Sequence, residues 1–80
     1  MLIKIDEATI INLERVLAIL KNNEDASLVF LFSDLTKGVE PAIAYFEDEH
    51  LRDLALTKIM TDYQGDCKYC DITKYVKKEE

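Results

Sequence analysis

Two cysteines near the end of the sequence have the spacing of a metal-ligand pair or a redox pair. In Cys67-Lys68-Tyr69-Cys70, two residues separate the thiols, as in paired zinc ligands and dithiol redox motifs. A closed zinc site needs four ligands, so Cys67 and Cys70 would need a second pair from another subunit. A redox pair normally lies at a helix N-terminus, and no helix is predicted to begin at Cys67. Two reduced thiols without chemistry are the default interpretation, and a zinc-binding or thiol-redox protein using Cys67 and Cys70 is the alternative.

The other polar residues do not form a catalytic pattern. His50 is the single histidine, and no serine or cysteine adjoins it in the sequence. Asp48 and Asp53 fall in or near the first turn of a predicted helix, where capping and the helix dipole explain them. The two glycines, Gly38 and Gly65, stand far apart and form no phosphate-binding loop. We therefore predict a protein that is not an enzyme and has no cofactor.

Length and charge restrict the class of protein. Eighty residues fit a single domain, and a hydrophobic content of 49% is typical of a globular fold. Sixteen acidic residues against ten basic ones give a net charge of −6, which disfavours nucleic-acid binding because that binding depends on Lys and Arg. No apolar run reaches the ~20 residues of a membrane span, and no signal peptide is recognised. These features predict a cytoplasmic protein without nucleic-acid or membrane partners.

Three apolar runs of five residues determine the predicted architecture: Val16–Leu20, Leu28–Phe32 and Ala42–Phe46. A strand with one face in water alternates apolar and polar residues, because successive side chains point to opposite sides. Uninterrupted runs therefore predict strands whose sheet is covered on both faces. One amphipathic helix can cover only one face. We expect a second copy of the chain, or another protein, to cover the other.

The predicted fold is α+β, with a four-stranded antiparallel meander and one helix on one face. A single domain is expected over residues 1–65, followed by a C-terminal extension over 66–80. Within the extension, residues 71–76 are a candidate fifth strand and 77–80 are expected to fray. The predicted strands of the meander are residues 1–5, 9–21, 27–33 and 42–46.

The predicted helix begins after the acidic residues Glu47-Asp48-Glu49, which complement the positive end of the helix dipole. Its apolar stripe includes Leu51, Leu54, Ala55 and Ile59. Gly65 is predicted to end the helix as its left-handed residue.

Residues 9–21 admit two interpretations. As a long strand they contain a bulge or kink near Asn12–Arg15, where an asparagine and a charge pair fit poorly in a continuous ladder. As a helix over 7–22 their apolar residues also satisfy helical spacing, and the fold becomes β-α-β-β-α. Ile11 and Ile19 would then lie on the polar side of the helix, which favours the strand.

Three segments resemble a pattern of small bacterial proteins. Ile11-Asn12-Leu13-Glu14-Arg15-Val16 matches an I-N-L-(D/E)-x-(V/I) segment that opens a strand, and Leu28–Phe32 provides the next strand. Tyr45–Glu49 then leads through an acidic turn into a helix. This order is similar to that of β-meander-plus-helix proteins such as the flagellar FlbD-like proteins. The resemblance spans Ile10 to Ile59, implies strands over 9–21, and brings no catalytic residues. The Asp34–Glu40 loop and the tail with both cysteines depart from the pattern.

These features predict a small acidic, non-catalytic interaction or regulatory module that works as a homodimer or larger homo-oligomer. Single-face burial of Leu, Ile and Phe side chains contributes ~25 cal/mol per Å² of apolar area, which favours association. The predicted core combines apolar residues of the strands and the helix: Ile3, Ile5, Ile11, Val16, Leu20, Val29, Phe30, Phe32, Ile43, Phe46, Leu51, Leu54, Ala55 and Ile59.

Overall fold

The computed structural model describes residues 1–33 and 40–78, so the Asp34–Glu40 loop predicted to be long falls almost entirely outside the described residues. The described residues form six strands and one α-helix, which confirms the α+β class. The elements are β1 (Leu2–Asp6), β2 (Thr9–Asn12), β3 (Val16–Asn22), β4 (Ser27–Phe32), β5 (Ala42–Tyr45), α1 (Glu49–Gln64) and β6 (Tyr69–Asp71).

The strands form two sheets of three. The first sheet has the order β2-β1-β6, with β1 antiparallel to β2 and parallel to β6. The second sheet, β3-β4-β5, is antiparallel throughout. The predicted single meander is therefore divided, because residues 9–21 contribute one strand to each sheet. The helix packs against β4 of one sheet and β6 of the other.

The division occurs at a short 3-10 turn, Leu13–Arg15, which is where the sequence predicts a kink. The Asn12 side chain accepts a hydrogen bond from the Glu14 amide at 3.0 Å and caps this turn. The Leu13 amide donates to the Met1 carbonyl, and the Ser33 amide donates to the Arg15 carbonyl. Each side of the turn is thus fixed to a different sheet. The alternative helix over 7–22 is wrong, because most of these residues pair in β-ladders.

Residues after the helix complete the structure. β6 spans Tyr69–Asp71, whereas the sequence places a strand at 71–76. Val76 instead makes an isolated antiparallel bridge with Phe46, and the Lys77 amide donates to the Tyr45 carbonyl at 2.7 Å. This segment therefore connects the first sheet, through β6, to the end of β5 in the second.

Both ends of α1 are defined by specific hydrogen bonds. The Asp48 carboxylate accepts from the Leu51 amide at 2.8 Å, in agreement with the acidic start predicted for the helix. At the other end Gly65 has a φ of −84°, so it is not the left-handed residue. Asp66 takes that conformation, with φ 59°, and the Cys67 amide donates to the Asp62 carbonyl at 2.9 Å. This is the Schellman pattern, with an aspartate where glycine is usual.

The core lies between the two sheets and the helix. Half of its predicted members are buried, and Val16, Phe32 and Leu51 are partly buried against it. Val29 is half-buried but lies on the opposite face of its sheet, so its assignment to the core is wrong. The prediction of a core position is wrong for Leu20, Ile43 and Leu54, because these side chains are exposed. Leu20 and Ile43 lie on the sheet face opposite to the core, and Leu54 lies on the outer side of the helix. The buried apolar side chains are Ile3, Ile5, Ile11, Leu28, Phe30, Ala44, Phe46, Ala55, Ile59, Cys70 and Ile72.

Candidate functional site

The two cysteines lie in different environments. Cys70 is buried on β6, where it pairs with Ile3 of β1. Cys67 is exposed in the segment that follows the helix. Both are free thiols. The CxxC spacing therefore places one side chain in the core and the other at the surface.

The surroundings of Cys70 keep it protonated. Burial raises the pKa of the Cys70 thiol to about 12, and the neighbouring Asp62 carboxylate acts in the same direction. The Lys58 ammonium lies 3.1 Å from an Asp62 oxygen and lowers the pKa of that carboxyl. A protonated thiol is a poor nucleophile and a poor metal ligand, because both roles need the thiolate.

Other metal ligands do not gather near this pair. His50 lies in the first turn of α1, whereas Cys67 follows the last turn of the same helix. Across residues 1–33 and 40–78, no three His, Cys, Asp or Glu side chains are placed to hold a metal ion together. A zinc site pooled from Cys67 and Cys70 of two subunits stays a prediction.

Arg52 forms the main buried polar cluster, and no sequence motif includes it. Its side chain is only 3% exposed. One terminal nitrogen donates to the Asn22 carbonyl and to the Asn23 side-chain oxygen, both at 3.0 Å. The other guanidinium nitrogens donate to the Asp53 carboxylate. Arg52 thus fixes the first half of α1 to the turn between β3 and β4.

This cluster also lowers the pKa of the Asp53 carboxyl. The Arg52 guanidinium hydrogen-bonded to Asp53 holds the pKa of that carboxyl below its usual value, and Lys21, 3.4 Å away, acts in the same direction. The polar groups of this cluster therefore hold the helix against the turn between β3 and β4. No sequence signal marks Arg52, because an arginine in an acidic helix is normally exposed.

The most extensive candidate interaction surface is the face of the β3-β4-β5 sheet that points away from the core, here called the outer face. Leu28, Phe30 and Ala44 point into the core, so alternate residues on the same strands point outward. The cross-strand register brings these residues together. The outer face contains Ala18, Leu20, Asn22, Val29, Leu31, Ile43 and Tyr45; Ser27 belongs to the same side of β4 but is only 1% exposed.

The outer face is apolar and has no charged residue. Leu20 pairs with Val29, which pairs with Ile43, so three branched side chains form a row across the sheet. The exposed fractions are 48% for Leu20, 41% for Ile43 and 48% for Tyr45. The apolar runs are uninterrupted because their strands have apolar side chains on both faces. One face fills the core, and the other is not covered by the helix.

Comparisons with protein-family models, curated proteins and solved structures find no match to this chain. Within the described residues, no helix is long and apolar enough to cross a membrane.

Proposed function

We propose that this protein is a non-catalytic interaction module that assembles with copies of itself through the outer face. The observation that carries the proposal is the row of Leu20, Val29 and Ile43 with Tyr45 beside it, all on one uncharged sheet face. Exposed apolar patches of this kind mark interaction sites in soluble proteins. The cores of protein interfaces are likewise depleted of charge.

The charge of the chain favours a second copy as the partner. With a net charge of −6, two copies repel each other wherever acidic surfaces meet. An uncharged face avoids this cost, because no like charges oppose each other across a two-fold axis. Burying an apolar side chain that is about half exposed contributes roughly 1 kcal/mol to the free energy of association.

The thiols fit this proposal. Cys67 and Cys70 are both free, and reduced thiols are typical of the cytoplasm, which we propose as the compartment. A regulatory role would follow if assembly controls which surfaces remain open to other proteins.

A charge placed on the outer face tests the proposal. In Ile43→Lys, an ammonium group must lose its hydration when the two faces meet, so we expect assembly to weaken by at least about tenfold. The measurement is the mass distribution by sedimentation velocity at micromolar concentration. Ile10→Lys is the matched control, because Ile10 is 56% exposed on β2 of the other sheet. A parent protein that remains a single chain, or an Ile43→Lys variant that assembles like the parent, would contradict the proposal.

A further inference from the structure

The free edge of β3 is a second apolar surface. β3 ends the strand order β3-β4-β5 and pairs with β4 alone among the described strands. Natural proteins usually protect such an edge with charged residues, proline or a bulge, because its unpaired backbone groups bind other strands. Val16–Leu20 contains no charged residue and no proline. Its register shift between Val16 and Ala18 is the only one of these protections present in this run.

A groove of about 500 Å³ runs beside the first half of β3. Leu13 and Leu17 line one side of it, and Ile59, Met60 and Tyr63 of the helix line the other. Leu17 and Tyr63 are 66% and 64% exposed, more than any other large apolar side chain in the described residues. The Arg52 cluster binds the helix to Asn22 at the far end of β3, whereas the groove lies beside residues 16–19 at the near end.

The size of the outer face shows why this edge matters for assembly. Three strands spaced ~4.8 Å apart, each about five residues long, cover on the order of 240 Å². A standard interface buries ~800 Å² on each partner. One outer face alone is therefore smaller than a standard interface. Two sheets joined edge to edge would present a continuous surface twice as large, and the edge contact itself buries further surface.

We propose that β3 of one copy pairs antiparallel with β3 of a second copy, which joins the two sheets into one of six strands. An antiparallel pair of identical strands is two-fold symmetric, so this contact is closed and self-complementary. The run Val16–Leu20 is uncharged, and Lys21 is the one charged residue of β3. Leu17, displaced by the bulge, supplies an apolar side chain to the grooves that flank the joined edges. The inference extends the proposed function and depends on it, since the joined sheet provides the larger outer face for stacking.

Sedimentation velocity of the full chain separates the two contacts. We expect the parent protein to assemble into four chains, with two edge-paired dimers stacked by their outer faces. Ile43→Lys should leave edge-paired dimers. Adding Leu17→Lys to that variant should give single chains, because lysine is a common protection of exposed edges. Met60→Lys, on the opposite wall of the groove, serves as the second edge variant, and circular dichroism verifies the fold of each.

Amide hydrogen exchange identifies the contact within the dimer. We expect backbone amides of Val16–Leu20 to exchange about tenfold more slowly in Ile43→Lys than in the double variant. If Ile43→Lys is already a single chain, or the double variant stays dimeric, the edge contact is refuted while the outer-face proposal stands. If Ile43→Lys still forms four chains, the outer-face proposal fails instead. A parent protein that is a single chain refutes both.

Discussion

At the scale of single residues, Arg52 has the largest structural role that sequence patterns do not reveal. Arg52 is almost fully buried, and its guanidinium donates four hydrogen bonds. The fork geometry of arginine lets one side chain reach the Asn22 carbonyl, the Asn23 side chain and the Asp53 carboxylate at once. A lysine offers one donor centre and could not replace it.

Removing the Arg52 side chain should therefore destabilise the fold. Arg52→Ala leaves the Asn22 carbonyl without its donor and removes a buried aliphatic stem, so we expect a loss of about 2 kcal/mol in the free energy of unfolding. Urea denaturation followed by circular dichroism measures it. Arg15→Ala is the control, because Arg15 is exposed, and its effect should stay within about 0.5 kcal/mol. Equal losses in both variants would disprove the structural role of Arg52.

Cys70 gives the fold a dependence on alkaline pH. Its pKa is raised from 9.0 to about 12 by burial, so the folded state holds the proton more tightly than the unfolded state. The stability linked to this proton is complete below pH 9 and is lost as the pH rises from 9 towards 12. We expect Cys70→Ala to flatten the fall in unfolding free energy over that range, measured by urea titrations at several pH values.

Cys67→Ala provides the matched control for this pH dependence, because Cys67 is exposed. Its pH profile should follow that of the parent. A Cys70→Ala profile with the parent's slope between pH 9 and 12 would show that the thiol ionises as easily in the folded state as in the unfolded one.

At the scale of elements, sequence patterns predict the positions of most strands, but they do not predict which strands pair with each other. The runs Leu28–Phe32 and Ala42–Phe46 largely coincide with β4 and β5, because short apolar runs bounded by turn residues are typical of buried strands. The kink at Asn12–Arg15 was also predicted from an asparagine and two charges. Its consequence was not, because whether a kinked strand continues in one sheet or crosses to another depends on distant contacts. Here these are the bonds of Leu13 to Met1 and of Ser33 to Arg15.

The candidate site shows the same limit. The sequence predicted an apolar sheet face without cover, and the outer face has that composition. It misassigned Leu20, Val29 and Ile43 to the core, since both faces of these strands are equally apolar and periodicity cannot distinguish them. The parallel pairing of β6 with β1 had no local signal either, because a strand of three residues is too short to produce a pattern.

The helix start is the element whose local signal was clearest, and it can be tested directly. Asp48→Ala removes the acceptor of the Leu51 amide, so we expect the free energy of unfolding to fall by about 1 kcal/mol. Thermal and urea denaturation measure the change. Glu47→Ala removes a neighbouring acidic residue outside the helix and should have a smaller effect. If the two variants lose the same stability, charge near the helix end matters and the cap does not.

At the scale of the whole molecule, one helix and two small sheets leave apolar surface that residues 1–33 and 40–78 do not cover. The buried face of the helix, which includes Ala55 and Ile59, packs between the two sheets. Nothing among the described residues covers the opposite side of β3-β4-β5. The proposed assembly through the outer face and the β3 edge would cover this surface, and it predicts edge-paired dimers for Ile43→Lys and single chains once Leu17→Lys is added.

The pairing of β1 with β6 also has a consequence for synthesis on the ribosome. β1 is made before its parallel neighbour β6, and residues 7–68 separate the two strands in the sequence. Until residues 69–71 leave the exit tunnel, Ile3 and Ile5 lack the strand that completes their sheet. The first sheet therefore closes only after β6 has emerged, and the apolar side chains of β1 stay without that cover in the meantime.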